Sequence, residues 1–131
     1  MIYVPYCAIL AAFLLIYVPR QVVSGEMKKQ DGGYNNNDPR AQQARLEGLG
    51  RRALAAHQNA FEAFAPFAAA VLAAMQRSPH RDAIVGACIA FVVVRTVYMI
   101  AYLGDKATLR SGMWGLGMLA TGTLMVLAIV G

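Results

Sequence analysis

Residues 82–103 are apolar apart from Asp82, Gly86, Arg95, Thr96 and two tyrosines, and three more stretches, at about 2–23, 45–76 and 108–130, are of similar character. At about 1.5 Å per helical residue each can cross a hydrocarbon core of roughly 30 Å. A chain built this way is expected to be an all-α integral membrane protein, a four-helix bundle of one domain spanning residues 1–131. Composition agrees: 58% hydrophobic residues and a mean hydropathy of +0.46 exceed what a soluble domain of 131 residues carries.

The formal charge of +5 does not point to nucleic acid, because the basic residues lie mostly in connecting segments with no base-stacking aromatics between them. Segment 24–44 is rich in Gly, Asn, Asp and Lys, and reads as an aqueous loop. The second helix is expected to start near Ala41 to Arg45 and to run to about Gln76, with Pro66 a candidate kink. Asp82 or Ser78 is a candidate cap for the third helix, and Thr108 for the fourth.

Arg20, Lys28, Lys29, Arg40 and Arg45 in the first connection and Lys106 and Arg110 in the third outnumber Arg77 and Arg81 in the second. This bias makes connections one and three cytoplasmic, with both termini on the opposite side. The N-terminus lacks a basic n-region, so the first apolar stretch is expected to be retained as a span. Cys7 and Cys88 lie inside apolar stretches at no metal-ligand spacing, where a thiol behaves as a small hydrophobe.

Polar groups inside these stretches mark the candidate site. On a helix, Arg51, Arg52, Gln58, Asn59 and Glu62 fall within a sector of roughly 120°, with His57 nearly opposite. In the third span Arg95, Tyr98 and Tyr102 share a face, and Arg110 and Ser111 open the fourth. Counted from the cytoplasmic boundary, Asn59, Glu62, Tyr98, Tyr102 and Arg110 lie within about 15 Å of depth. A charge at this depth needs a partner or water, so Arg52, Glu62 and Arg95 are expected to face the bundle interior or a wet interface. Cations outnumber carboxylates there, which predicts an anionic ligand, while Glu62 can receive a positive group of that ligand. His57 is expected to pack rather than to catalyse. Phe61, Phe64 and Phe67 read as packing or lipid contacts, as does Trp114, one turn beyond Arg110.

The sequence resembles the MAPEG family, the membrane-associated proteins of eicosanoid and glutathione metabolism. The resemblance rests on Asn59, Glu62 and Pro66 in the second helix, on Arg95, Tyr98 and Tyr102 followed by Leu103 and Gly104, and on Arg110 with Ser111. It implies a homotrimer that binds glutathione between subunits near the cytoplasmic face. By that resemblance Asn59 and Glu62 hold the glutamyl end, Tyr98 and Tyr102 offer hydroxyls, Arg95 pairs with a carboxylate or fixes the site, and Arg110 faces the thiol. The family's usual arginine four positions before the asparagine is replaced by Ala55, and Arg52, on the face of Asn59, is expected to reach the same anion.

The expected function is that of a glutathione transferase or glutathione-dependent peroxidase acting on lipophilic electrophiles from the bilayer. The alternative is a non-catalytic membrane protein that binds an anionic lipid or scaffolds a partner.

Overall fold

The computed structural model describes residues 3–131, so the expected first residue of the first span, Ile2, lies outside the described residues. The described residues form five helices: α1 (Val4–Lys28), α2 (Pro39–Ala44), α3 (Gly48–Arg77), α4 (Arg81–Leu103) and α5 (Ala107–Val130). The chain is all-α, with no strand among the described residues.

Three helices, α1, α4 and α5, are long and apolar enough to cross a membrane. α3 is the longest helix but is not one of these three; it is rich in alanine and carries Arg51, Arg52, His57, Asn59 and Glu62.

Local chemistry sets the helix limits. α1 starts with Pro5 in its first turn, where a missing N–H costs nothing, and runs past the expected end of the first span to Lys28. The following turn uses Gly32 and Gly33 at φ +85° and +71°, conformations that suit glycine. The segment read as loop is partly helical: Pro39 opens α2, and the Asp38 side chain caps it by accepting from the Ala41 N–H at 3.2 Å. Gln42 ties this segment down. Its buried amide donates to the Met27 and Gly33 carbonyls at 3.0 and 2.7 Å and accepts from the Asn35 N–H at 2.8 Å.

The second long helix does not start near Ala41 to Arg45. The chain breaks there and α3 begins at Gly48, whose φ of +50° reverses the direction between α2 and α3. Nor do the other expected caps form. His80 precedes α4 without a side-chain cap, Ser78 Oγ instead accepting from the His80 N–H at 3.2 Å, and α5 begins at Ala107 behind an uncapped Lys106.

α1 packs on α3 and α4, α5 packs on α3 and α4, and α3 also touches α4. Small residues let these helices approach closely: Ala8, Ala12, Ala70, Ala74, Cys88, Ala120 and Ala128 lie in one core with Phe67, Val71, Ile84, Phe91 and Leu124. Phe67 of α3 stacks on Phe91 of α4, with ring centroids 3.7 Å apart. This contact fixes the two helices against each other one to two turns from Asn59, Glu62 and Arg95.

Candidate functional site

Arg95 enters the interior eight residues before the end of α4 and is only 7% exposed. Gly117 of α5 makes room for it: a Cβ added there would lie 3.3 Å from Arg95 Cδ. From this seat the Arg95 Nη2 donates to Asn59 Oδ1 at 2.9 Å and to the Asn59 main-chain oxygen at 3.4 Å. The Asn59 Nδ2 in turn donates to Glu62 Oε2 at 3.0 Å, one turn along α3. Because an amide has one accepting and one donating end, Asn59 turns its oxygen to the cation and its nitrogen to the carboxylate.

The chain of contacts continues toward the start of α5. The Arg95 guanidinium lies over the Tyr98 ring at 4.1 Å, Tyr98 meets Tyr102 edge-on at 5.6 Å, and the Arg110 guanidinium lies over the Tyr102 ring at 4.5 Å. A guanidinium is attracted to the negative face of an aromatic ring, so the tyrosines hold both cations in place without neutralising them. Six of the eight residues singled out in the sequence, Glu62, Asn59, Arg95, Tyr98, Tyr102 and Arg110, thus form one connected series across three helices.

Among the described residues, ion pairs join Lys29 to Glu26 and Arg52 to Asp105, and none includes Arg95 or Arg110. Arg95 is therefore a buried cation whose protein partners are a neutral amide, a carbonyl and a ring. It borders a cavity of about 140 Å³ together with Asn59, Glu62, Pro66, Trp114 and Thr121. Positive charge at the wall of a cavity suits a carboxylate, which a guanidinium binds through paired N–H donors.

The other two expected residues stand apart from this series. Arg52 is not brought to Asn59: its Nε donates to the Leu103 carbonyl at 3.3 Å and its Nη1 lies 3.9 Å from Asp105 Oδ2. Those contacts satisfy the C-terminal end of α4, where helix carbonyls lack partners of their own. Ser111 is exposed beside Arg110.

Trp114, expected to pack in preference to bordering an apolar cavity, lies at the cavity wall and is 48% exposed. Gly117 and Thr121 were not singled out as site residues. A signal for them exists in the spacing, since Arg110, Trp114, Gly117 and Thr121 repeat at four, three and four residues and so share a face of α5.

Arg51 and Gln58 of the polar sector are exposed, whereas His57 and Phe64 pack. His57 Nδ1 lies 2.7 Å from the Ile16 carbonyl, and its ring meets Phe61 at 5.2 Å and Tyr17 at 6.3 Å. Phe64 packs near Phe13, with ring centroids 6.0 Å apart.

A family model described as "MAPEG family" matches residues 4–130, nearly the whole chain. No curated protein and no solved structure shows a significant match.

Proposed function

The chain belongs to the MAPEG family, and on that premise we propose that it is a membrane-bound enzyme that activates glutathione for attack on a lipophilic electrophile taken from the bilayer. The observation that carries the reading is the buried Arg95, a cation with no ion-pair partner among the described residues, which borders a cavity with Asn59 and Glu62 and is linked through Tyr98 and Tyr102 to Arg110.

Glutathione suits this chemistry because it presents two carboxylates, one ammonium and one thiol. Arg95, oriented by Asn59, receives a carboxylate, and Glu62 receives the ammonium. Tyr98 and Tyr102 supply hydroxyls along the series. Ser111 adds a hydroxyl beside Arg110. Arg110 faces the sulfur; a cation there favours thiolate over thiol, and the thiolate is the nucleophile. It attacks an electrophilic carbon and displaces the leaving group, or attacks a hydroperoxide oxygen and breaks the O–O bond. In the second case the alkoxide takes a proton and leaves as the alcohol, and the glutathione sulfenic acid that remains is reduced by a second glutathione to the disulfide and water.

A cavity of about 140 Å³ is smaller than the roughly 300–1,000 Å³ usual for small-molecule sites. We propose that neighbouring chains of a homotrimer of four-helix bundles complete it, with α3 as the fourth span. The partly exposed Trp114 and the exposed Glu62 then lie near the junction. In each span candidate only 28% of the apolar window is buried within one chain, which leaves surface for neighbouring chains and for lipid. The excess of basic residues near the α1–α3 connection and the start of α5 puts that end in the cytoplasm and both termini on the other side.

The test is turnover in detergent or nanodiscs with glutathione plus an aryl halide, and separately with a lipid hydroperoxide. Activity in the wild type that falls strongly in Arg110→Ala is expected, and no thiol-dependent activity with either substrate sinks the proposal.

A second reading rests on Ala55 and on the turn of Arg52 toward Leu103, which leave fewer cations around Asn59. It makes the cavity a site for an anionic lipid headgroup without catalysis. Thermal stabilisation by anionic lipid, with none by millimolar glutathione, selects that reading.

A further inference from the structure

Two prolines lie inside long helices, Pro19 in α1 and Pro66 in α3, and Arg95 borders a cavity beside each of them. The one beside Pro19 is small, about 20 Å³, and its walls include Leu15 and Pro19 of α1, Ala60 of α3, and Phe91, Arg95 and Tyr98 of α4. Pro19 is fully buried and has no N–H, so the Leu15 carbonyl four residues earlier loses its helical donor. In a helix that oxygen lies on the surface between residues 15 and 19, and both of these residues border the cavity.

The opposite wall carries donors. Arg95 and Tyr98 are 7% and 5% exposed. Two hydrogen bonds from Arg95, both to Asn59, leave from Nη2, and a guanidinium has five donors. Tyr98 brings a hydroxyl that both donates and accepts. A cavity needs about 10–15 Å³ and two to four polar partners to hold one water. This cavity has the volume, an acceptor freed from its helix, and a donor on the facing helix.

We propose that it binds a single water molecule, which accepts from Arg95, donates to the Leu15 carbonyl and reaches the Tyr98 hydroxyl, and that Pro19 thereby acts as a positioning residue for Arg95. α1 carries no residue of the polar series, yet through this water it would also hold the guanidinium.

The test is a high-resolution map of the ligand-free protein in nanodiscs, for the wild type and for Pro19→Val, which restores an N–H at similar side-chain volume. The wild type is expected to show an isolated peak within hydrogen-bond distance of the Leu15 oxygen and a single Arg95 conformer. In Pro19→Val the peak should vanish and Arg95 should spread over several conformers. A wild-type map without the peak, or a peak that persists in Pro19→Val, overturns the water site; loss of the peak with Arg95 unmoved overturns the positioning role. Should Pro19→Val not fold, Tyr98→Phe replaces it, and a peak of unchanged strength there counts against the site. These maps contain no glutathione, so they succeed or fail independently of the proposed activity. In a wild type that binds glutathione, Pro19→Val should raise Kd about three- to tenfold, the worth of one hydrogen bond, and an unchanged Kd removes the link to the site.

Discussion

Arg77 and Arg95 are both arginines on long helices, but their surroundings differ. Arg77 ends α3, is exposed, and its Nε donates to the Ala128 carbonyl near the end of α5 at 3.0 Å. Arg95 is buried within α4, with an amide, the Asn59 carbonyl and a ring as partners, and it borders two cavities. Arg52 falls with Arg77: at the opposite end of α3 it donates to the Leu103 carbonyl near the end of α4. An arginine that meets the last carbonyls of a neighbouring helix completes that helix and remains within reach of water. An arginine inside a span has no such use for its charge and needs partners assembled from other helices. Burial and the chemical type of the partner, not the presence of arginine in an apolar stretch, separate a candidate ligand group from a structural one.

Four experiments would break or sharpen this distinction. Arg110, whose partner is a ring and not a carbonyl, belongs with Arg95, and Arg110→Ala is expected to lower turnover by about 10²–10³-fold, as loss of an electrostatic donor at a reacting anion does. Glutathione affinity, measured by calorimetry on the same samples, should change far less. Arg95→Met is expected to weaken glutathione binding by about 10–100-fold, since a charge-assisted hydrogen bond is worth about 1.5–3 kcal/mol. An unchanged Kd would put Arg95 with the structural arginines.

Gly117→Val crowds the Arg95 side chain from α5 and is expected to destabilise by about 1–3 kcal/mol, as overpacking does, read as a lower Tm in detergent. Smallest of all, Arg52→Ala and Arg77→Ala should each cost about 0.5–1.5 kcal/mol, the net worth of one hydrogen bond, with glutathione affinity altered less than about threefold. A large affinity loss in Arg52→Ala alone would show that Arg52 does stand in for the arginine missing at Ala55.

Much of the polar series was legible in the sequence. Offsets of three, four and seven residues put Asn59 with Glu62 on α3, and Arg95 with Tyr98 and Tyr102 on α4, because helical periodicity fixes which residues share a face. Depth counting brought the two helices and Arg110 to one level. What periodicity cannot reach is the partner across a gap. Arg52 shares the face of Asn59, yet its side chain turns to Leu103, because the end of α4 lies nearby with carbonyls to satisfy. The expected caps Thr108, Ser78 and Asp82 did not form, and α3 began at Gly48 rather than near Ala41 to Arg45. Gly48 at the start of α3 and Asp105 in the turn between α4 and α5 both lie at positive φ, local conformations that face periodicity does not report.

The sequence by itself determined that the chain is helical and apolar enough for a membrane, which residues of each helix lie on one face, and, through its motifs, the family. Hydrophobic length and helical period are properties of single segments, so they need no knowledge of neighbours. Only the tertiary structure decided that Gly117 seats Arg95, that Asn59 faces it with its oxygen, that Arg52 caps α4, and that Pro19 and Pro66 both lie beside the cavities bordering Arg95. Each of these depends on distances between helices that packing alone sets, where a shift of an ångström makes or breaks a hydrogen bond.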